Sequence, residues 1–484
     1  MKKIIALALS AMMLSSTAYA AEFYKGGDVT EVNYIEDLGG KYYTRDGKEE
    51  DVFEILSNAG MNMARIRLSN NPGKGSGDGN YYLPEGYQDE KDCLDLAKHA
   101  KDAGMAIQFT FNYSDYWSNG TRQIIPRDWV KQIKDELGYD VKEEKFLKSM
   151  TSEQRKEIQK KLKGIIYNYT FDIMTKLKAQ NTLPRYVSLG NEINGGILFP
   201  FANTYAANMN KDDFELKFGD NKSDSDIICP EDWNALAEFL NAGYDAVKAV
   251  SPATEVIIHI AEGSKESTFT WFFDKFEAAG GKYDVIGASY YPAWSNNTIE
   301  TCVEFIDNIS EKYDKNIMIM ETGFNWNATR KDGYAGQLVD IDAYKDIYPP
   351  SKEGQAGFLT DLFSQLKNTE RCVGALYWDP CMIHVEDKDG NNLSGWAYRE
   401  ADDAVEPNVV ENTTLFDFDG KALPVLDAFK NEKLITLIFD ESGKLIHASM
   451  DDNAPSEITP RCKVYSWDGK ILKSRTARHF NSMF

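Results

Sequence analysis

Two glutamates stand directly after short apolar runs. Glu192 closes Ser188-Leu189-Gly190-Asn191-Glu192, and Glu321 closes Met318-Ile319-Met320-Glu321 ahead of Thr322-Gly323. Two carboxyl groups facing each other across a cleft can break a glycosidic bond: one, protonated, releases the leaving oxygen, and the other, ionised, attacks the sugar carbon. In that chemistry Glu192 is the expected acid/base and Glu321 the expected nucleophile, forming a glycosyl-enzyme intermediate that water then resolves. Retention needs the carboxyl groups about 5 to 5.5 Å apart, whereas inversion needs roughly 6.5 to 9.5 Å. Asn191 precedes the acid, and its side-chain amide suits the 2-hydroxyl of a bound sugar. Arg65 is expected to hold Glu321 ionised by a charge-assisted hydrogen bond while Glu192 keeps its proton in a less compensated setting. Tyr291 is a second donor candidate. Acids at strand ends are also ordinary rim residues, so the pair gains meaning only from the elements that position it.

Those elements read as an α/β fold. From residue 26 to residue 426 short β-branched runs alternate with longer segments of helical period, the pattern of parallel strands joined by crossover helices. Strands are predicted near 26–29, 63–68, 106–111, 186–189, 256–260, 285–289, 317–320 and 375–377, and these eight are the number that closes a (β/α)8 TIM barrel. The helices carry their own punctuation. One over 50–59 stops at Gly60, one over 89–103 stops at Gly104, Thr151 with Gln154 makes a capping box, Pro230 suits a first turn, and another helix opens near Ser351. Both glutamates then face one mouth of the barrel. Insertions at 204–228 and 325–350 follow the fourth and seventh strands and are expected to shape the cleft there. Tyr116, Trp117, Trp294 and Trp378 lie at or beyond strand ends, where rings can stack on the apolar faces of sugars. After residue 430 hairpin signals around Asp440-Glu441-Ser442-Gly443 and Asp468-Gly469-Lys470 predict a small C-terminal β appendage over 431–484, read as a packing module or spacer.

The ends and the charge bound the partners. Met1-Lys2-Lys3, an apolar run over 4–14 and Ser15-Ser16-Thr17-Ala18-Tyr19-Ala20 have the order of a secretory signal, so residues 1–20 are expected to be removed by cleavage after Ala20 and the protein to be secreted. The barrel domain is therefore placed at 21–430. No later run approaches the roughly 20 apolar residues of a membrane span. The 54 basic and 76 acidic residues leave a net charge of −22, which disfavours nucleic acid and anionic membranes but does not repel a neutral polysaccharide. The 6 cysteines show no metal-site spacing and are read mostly as buried free thiols.

Many short words, in order, carry a family resemblance. They are Lys25-Gly26-Gly27-Asp28-Val29, Gly39-Gly40-Lys41-Tyr42-Tyr43, Ala64-Arg65-Ile66-Arg67-Leu68 with Asn71-Pro72, Tyr113-Ser114-Asp115-Tyr116-Trp117 and Gly190-Asn191-Glu192-Ile193-Asn194-Gly195-Gly196. They continue with Asp284-Val285-Ile286-Gly287, Ser289-Tyr290-Tyr291-Pro292, Glu321-Thr322-Gly323, Glu353-Gly354-Gln355-Ala356, Tyr377-Trp378-Asp379-Pro380 and Leu415-Phe416-Asp417-Phe418-Asp419-Gly420. From residue 24 to residue 429 the chain resembles the arabinogalactan endo-β-1,4-galactanases, glycoside hydrolase family 53. The resemblance implies retaining endo-cleavage of β-1,4-galactan, with Glu192 and Glu321 at the family's acid/base and nucleophile positions. The expected substrate is galactan or arabinogalactan of pectic side chains, with no organic cofactor needed, and an endo-acting barrel of this kind works as a monomer. It departs from the family at Asn112 and Ser295, where histidine is usual, and an amide or hydroxyl there keeps hydrogen bonding without the charge. Asn112 and Asp115 are both expected to support the cleft. Some bacterial members hold calcium in the loop after the seventh strand; Asp332, Asp340 and Asp342 lie there without matching the liganding pattern. The barrel and carboxylates alone also suit another β-glycan such as mannan, xylan or glucan, or a glycan-binding barrel without turnover.

Overall fold

The structure is a computed structural model and describes residues 22–73, 80–81, 83–115, 118–120, 123–209, 216–217, 228–295, 297–338, 344, 347–395, 398–399, 404–405 and 408–430, with the strands 436–439, 445–449, 463–467 and 472–476. The predicted signal 1–20, Tyr116, Trp117, Asp340 and Asp342 lie outside the described residues. Parallel strands β1 (Tyr24–Asp28), β2 (Met63–Leu68), β3 (Ala106–Phe111), β4 (Tyr186–Leu189), β5 (Glu255–Ile260), β6 (Val285–Ser289), β7 (Asn316–Thr322) and β8 (Cys372–Tyr377) pair in sequence order. β1 bonds to both β2 and β8, which closes the (β/α)8 barrel. β1 and β8 begin earlier than the apolar runs suggested, because Tyr24 pairs with Gly374 across the closing seam.

The crossovers pass through α1 (Val52–Asn58), α2 (Glu90–Asp102), α3 (Ser152–Ala179), α4 (Trp233–Val250), α5 (Glu266–Ala278), α6 (Ile299–Tyr313) and α7 (Lys352–Lys367). Side-chain caps start several of them by satisfying backbone N–H groups that have no partner within the helix. Thr151 and Gln154 form the reciprocal capping box of α3, and Asp51, Asp89 and Ser351 cap α1, α2 and α7. α4 opens at Trp233 under Asp232, whose Oδ1 accepts from Ala235 N at 3.0 Å, so Pro230 precedes the helix and is not in its first turn. After β8 a 3-10 segment, Pro424–Phe429, packs on α7, with the Phe429 and Phe363 rings 5.1 Å apart.

Alternation along the strands divides the core in two. Tyr24, Met63, Tyr186, Ile257, Val285, Met318, Met320, Val373 and Leu376 fill the lower lumen, while the intervening positions, such as Ala64, Val187, Ile258 and Ile319, join the larger layer under the helices. Above this apolar plug the buried side chains become polar: Arg65, Arg67, Gln108, Thr110, Ser188, His259 and Ser289. Cys93, Cys302, Cys372 and Cys381 are buried free thiols. Residues 430–484 form a second compact unit, described through an antiparallel sheet in the order Leu445–Ser449, Thr436–Phe439, Lys463–Trp467, Leu472–Thr476. Among the described residues no helix is long and apolar enough to cross a membrane.

One buried hydroxyl ties the last two loops to the barrel. Tyr377 at the end of β8 donates to Thr413 O at 2.6 Å and accepts from Phe324 N and Gln355 Nε2, each at 3.0 Å. Tyr377→Phe removes these bonds from a buried site and leaves Phe324 N without its acceptor, and it is expected to lower unfolding free energy by about 1 to 3 kcal/mol. Urea unfolding at neutral pH measures it; a midpoint equal to wild type would refute the tie.

Candidate active site

Strict alternation would send Glu321 outward. Met318 and Met320 point into the lumen and Ile319 toward the helices, so the next residue, Glu321, has the outward phase. A β-bulge corrects it: Ala288 pairs with Ile319, but Ser289 pairs with Glu321, so the extra residue on β7 resets the phase at the strand end. Glu321 thereby enters the lumen mouth, 6% exposed. Its Oε1 accepts from Arg65 Nη1 at 2.7 Å and its Oε2 from Tyr291 Oη at 3.1 Å.

Glu192 arrives by a different route. Gly190, at φ +88°, has no room for a Cβ, which would meet Ile193 Cγ2 at 2.3 Å. Glu192 itself is left-handed, with φ 50° and ψ 51°, a costly state for a side chain of its kind outside a constrained site. This turn brings its Oε1 to 2.6 Å from Ser289 Oγ, which donates to it. One carboxylate oxygen of Glu192, one of Glu321 and a ring nitrogen of His259 lie within 4.8 Å of one another. Desolvation, with the charge of Glu321 adding to it, pushes the Glu192 carboxyl up to about 8. The two glutamates are thus chemically unequal: one sits against a guanidinium and a phenol, the other against a single hydroxyl and a like charge.

Arg65 organises the group from full burial. Besides Glu321 it reaches Asn191 Oδ1 through Nη2 at 2.6 Å, Met320 O at 3.3 Å and Asp28 Oδ2 at 3.4 Å. Two residues further along β2, toward the mouth, Arg67 pairs with Asp28, Glu31 and Asp379. Burial pushes Glu31 up to about 7 and Asp379 well above the usual carboxylate range, so protons as well as arginines balance this crowd of acids. Asp28, Glu31 and Asp379 have the proximity of a metal-ligand set, but the Arg67 guanidinium already serves all three as their cation.

The remaining sequence candidates divide. Asn191 gives its oxygen to Arg65 and one N–H to Ser118 O at 2.8 Å, leaving one N–H of the amide for another acceptor. Tyr291 joins Glu321 to an aromatic wall, its ring 4.4 Å from Trp294 and edge-on to Trp378 at 6.2 Å. Trp294 is 55% exposed, an open platform, while Trp378 is 6% exposed and forms part of the wall behind it. Asn112 is buried and donates to Ser69 Oγ at 3.1 Å. Asp115 serves the loop: its carboxylate accepts from Arg127 N and Nε, both at 2.9 Å, and from Asn70 Nδ2 at 3.3 Å. Ser295 donates to Tyr291 O at 3.0 Å. Trp117 lies outside the described residues. Of the loop acids considered for calcium, Asp332 accepts from Arg330 Nη2 at 2.6 Å and from Tyr334 N at 3.0 Å.

His259 and Ser289 were missed by the sequence reading. Their signal was there: each occupies the lumen phase of its strand, two and four residues beyond Ile257 and Val285, respectively. Arg67, Asp28 and Asp379 lie within the family words and Glu31 outside them, and none of these words foreshadows the charge network.

A closed (β/α)8 barrel with two unequal glutamates across its mouth defines a glycoside hydrolase. A model described as glycosyl hydrolase family 53 matches residues 24–160 and 152–429, and the chain belongs to that family. It is 30% identical over 389 residues to the arabinogalactan endo-β-1,4-galactanase of Cellvibrio japonicus, covering 79% of this chain and 87% of that protein. It is 26% identical over 427 residues to the endo-β-1,4-galactanase of Bacillus subtilis, covering 84% and 86%. Among solved structures, the Ignisphaera aggregans GH53 catalytic domain superposes with a TM-score of 0.65 at 29% identity, covering 84% of this chain and 96% of that one.

The raised affinity of Glu192 for its proton has a stability consequence. The folded protein holds this proton up to about pH 8, whereas an unfolded glutamate releases it near 4.5. The native state then binds more protons between these values, so the contribution is complete below about 4.5 and is lost as pH rises through about 8. Glu31 titrates in the same window, so the difference between wild type and Glu192→Gln isolates the effect. Glu192→Gln is expected to gain stability relative to wild type as pH rises across that window; a difference independent of pH in denaturant titrations would refute it.

Proposed function

We propose that this protein is an exported endo-β-1,4-galactanase that cuts galactan or arabinogalactan side chains of pectin with retention at the anomeric carbon. The observation that carries the mechanism is the glutamate pair: oxygens of Glu192 and Glu321 within 4.8 Å, one carboxyl clamped by Arg65 and Tyr291, the other holding its proton to about pH 8. That closeness supports direct attack by a carboxylate, since inversion needs room for a water between the groups. Glu321 attacks the anomeric carbon while Glu192 protonates the departing oxygen. Glu192 then takes a proton from water, whose oxygen displaces Glu321. Arg65 and Tyr291 orient the attacking carboxylate, and the remaining N–H of Asn191 is assigned to the sugar 2-hydroxyl. Trp294 offers a face on which a sugar ring can lie. These steps use no organic cofactor and no second protein chain.

The galactan assignment is supported by the relatives, whose names specify this polymer. Export is supported by the charged, apolar and small-residue order of residues 1–20, with cleavage after Ala20. The β unit after residue 430 is assigned a packing or spacer role.

Purified protein assayed on galactan, mannan, xylan and cellulose tests the substrate, and activity confined to another polymer would overturn it. Glu321→Gln is expected to lower kcat on galactan by about 10³-fold or more, because the variant lacks the nucleophile. Unchanged hydrolysis would overturn the mechanism. Trp294→Ala is expected to raise KM about tenfold with little change in kcat, the cost of one lost stacking surface of about 1.4 kcal/mol; an unaltered KM would remove Trp294 from the binding face.

A further inference from the structure

We infer that Ser289 and His259 form a positioning relay that holds the proton of Glu192 on Oε2, the oxygen available to the leaving group. The inference rests on the reading of Glu192 as acid/base and adds residues that this reading does not use. Ser289 Oγ stands between two partners, 2.6 Å from Glu192 Oε1 and 2.8 Å from His259 Nε2. A hydroxyl has one proton to give, so the direction of the chain depends on the imidazole.

His259 is fully buried, and burial together with the positive Arg65 pushes it well below its ordinary value, so it is neutral and carries one N–H. Its Nδ1 has no hydrogen-bond partner among the described residues. Were the proton on Nδ1, a buried donor would be orphaned, and Nε2 would draw the Ser289 proton away from Glu192. Orphaned buried N–H groups are rarer than under-used acceptors, which favours the Nε2–H tautomer. In that tautomer His259 donates to Ser289 Oγ, and Ser289 donates to Glu192 Oε1. An oxygen that accepts a hydrogen bond in this way is the carbonyl oxygen of the neutral acid. The acid proton is therefore on Oε2, which makes no hydrogen bond among the described residues.

The relay also answers the change in charge during turnover. When Oε2–H passes to the glycosidic oxygen, Glu192 becomes a carboxylate and the Ser289 bond to Oε1 strengthens. When water attacks the anomeric carbon, its proton returns to Oε2, the bond to Glu321 breaks, and the acid is restored. The groups facing Glu192 are Arg65 from β2, His259 from β5, Ser289 at the end of β6, Tyr291 just beyond it and Glu321 from β7. Among them Ser289 is the direct donor to its carboxylate. Loss of that donor weakens the ionised form, so the proton is held to higher pH.

Two measurements test this on the full-length protein: the pH profile of kcat/KM on β-1,4-galactan, and the ¹³C titration of the Glu192 carboxyl without substrate, assigned by its disappearance in Glu192→Gln. Ser289→Ala is expected to move the alkaline limb and the carboxyl titration upward by about one pH unit, and to lower kcat about tenfold at unchanged KM. Ser289→Thr, which keeps the hydroxyl, restores both. His259→Phe moves them in the same direction and His259→Gln, which keeps an N–H donor, recovers part of the shift. A folded Ser289→Ala protein whose titration and profile are unmoved overturns the relay, as does a uniform fall in activity without a shift. Galactan activity retained by Glu192→Gln overturns instead the acid/base reading beneath it.

Discussion

The site depends on one buried cation. Arg65 has no access to water, and its guanidinium must find its compensation inside the barrel; it does so in Glu321, Asp28, the Asn191 amide and the Met320 carbonyl. A buried charge with poor partners is expensive, and one with good partners fixes the geometry of everything it touches. Because Arg65 holds β1, the loop after β4 and the end of β7 at once, it places Asn191 beside Glu321. The same charge acts at a distance on His259, helping to keep that imidazole neutral.

From this cation the inequality of the glutamates follows. Glu321 receives Arg65 and Tyr291 directly, so its negative charge is met at both oxygens. Glu192 sits across from that charge with Ser289 at one oxygen, and losing its proton there means placing a second anion in a poorly hydrated space. Two identical side chains thus acquire unequal settings, and Glu192 is the one driven toward its protonated form. The acids around Arg67 show the same balance two residues further along β2, where Asp379 and Glu31 are driven toward their neutral forms.

Tight backbone geometry sets these side chains in place. Glu192 occupies a left-handed conformation that the glycine turn before it and the neighbouring chain enforce, and Glu321 relies on an irregular pairing between β6 and β7. Strain and bulges of this kind gather where a fold must aim a side chain against its regular period. Asp115 contributes by bonding, holding the loop after β3 to the start of the helix Arg127–Leu137.

Much of the architecture was legible in the residues themselves. Apolar runs of strand length, glycine stops, and the caps at Asp51, Asp89, Thr151 and Ser351 are local signals, and local hydrogen bonding and burial are enough to make them reliable. The position of each glutamate at a strand end was equally plain, and with it the class of chemistry. What the tertiary structure decided is everything that depends on phase and on contacts between distant strands. A period of two would have turned Glu321 outward, and only the register of β7 against β6 reverses it. His259 and Ser289 looked like ordinary strand residues until closure of the barrel set them within reach of Glu192. Asp115 was legible as an acid near the cleft, and only the structure shows that Arg127 holds its carboxylate. Sequence determines which groups are available and which elements carry them; their protonation and aim come from desolvation and long-range pairing, which exist only once the barrel has closed.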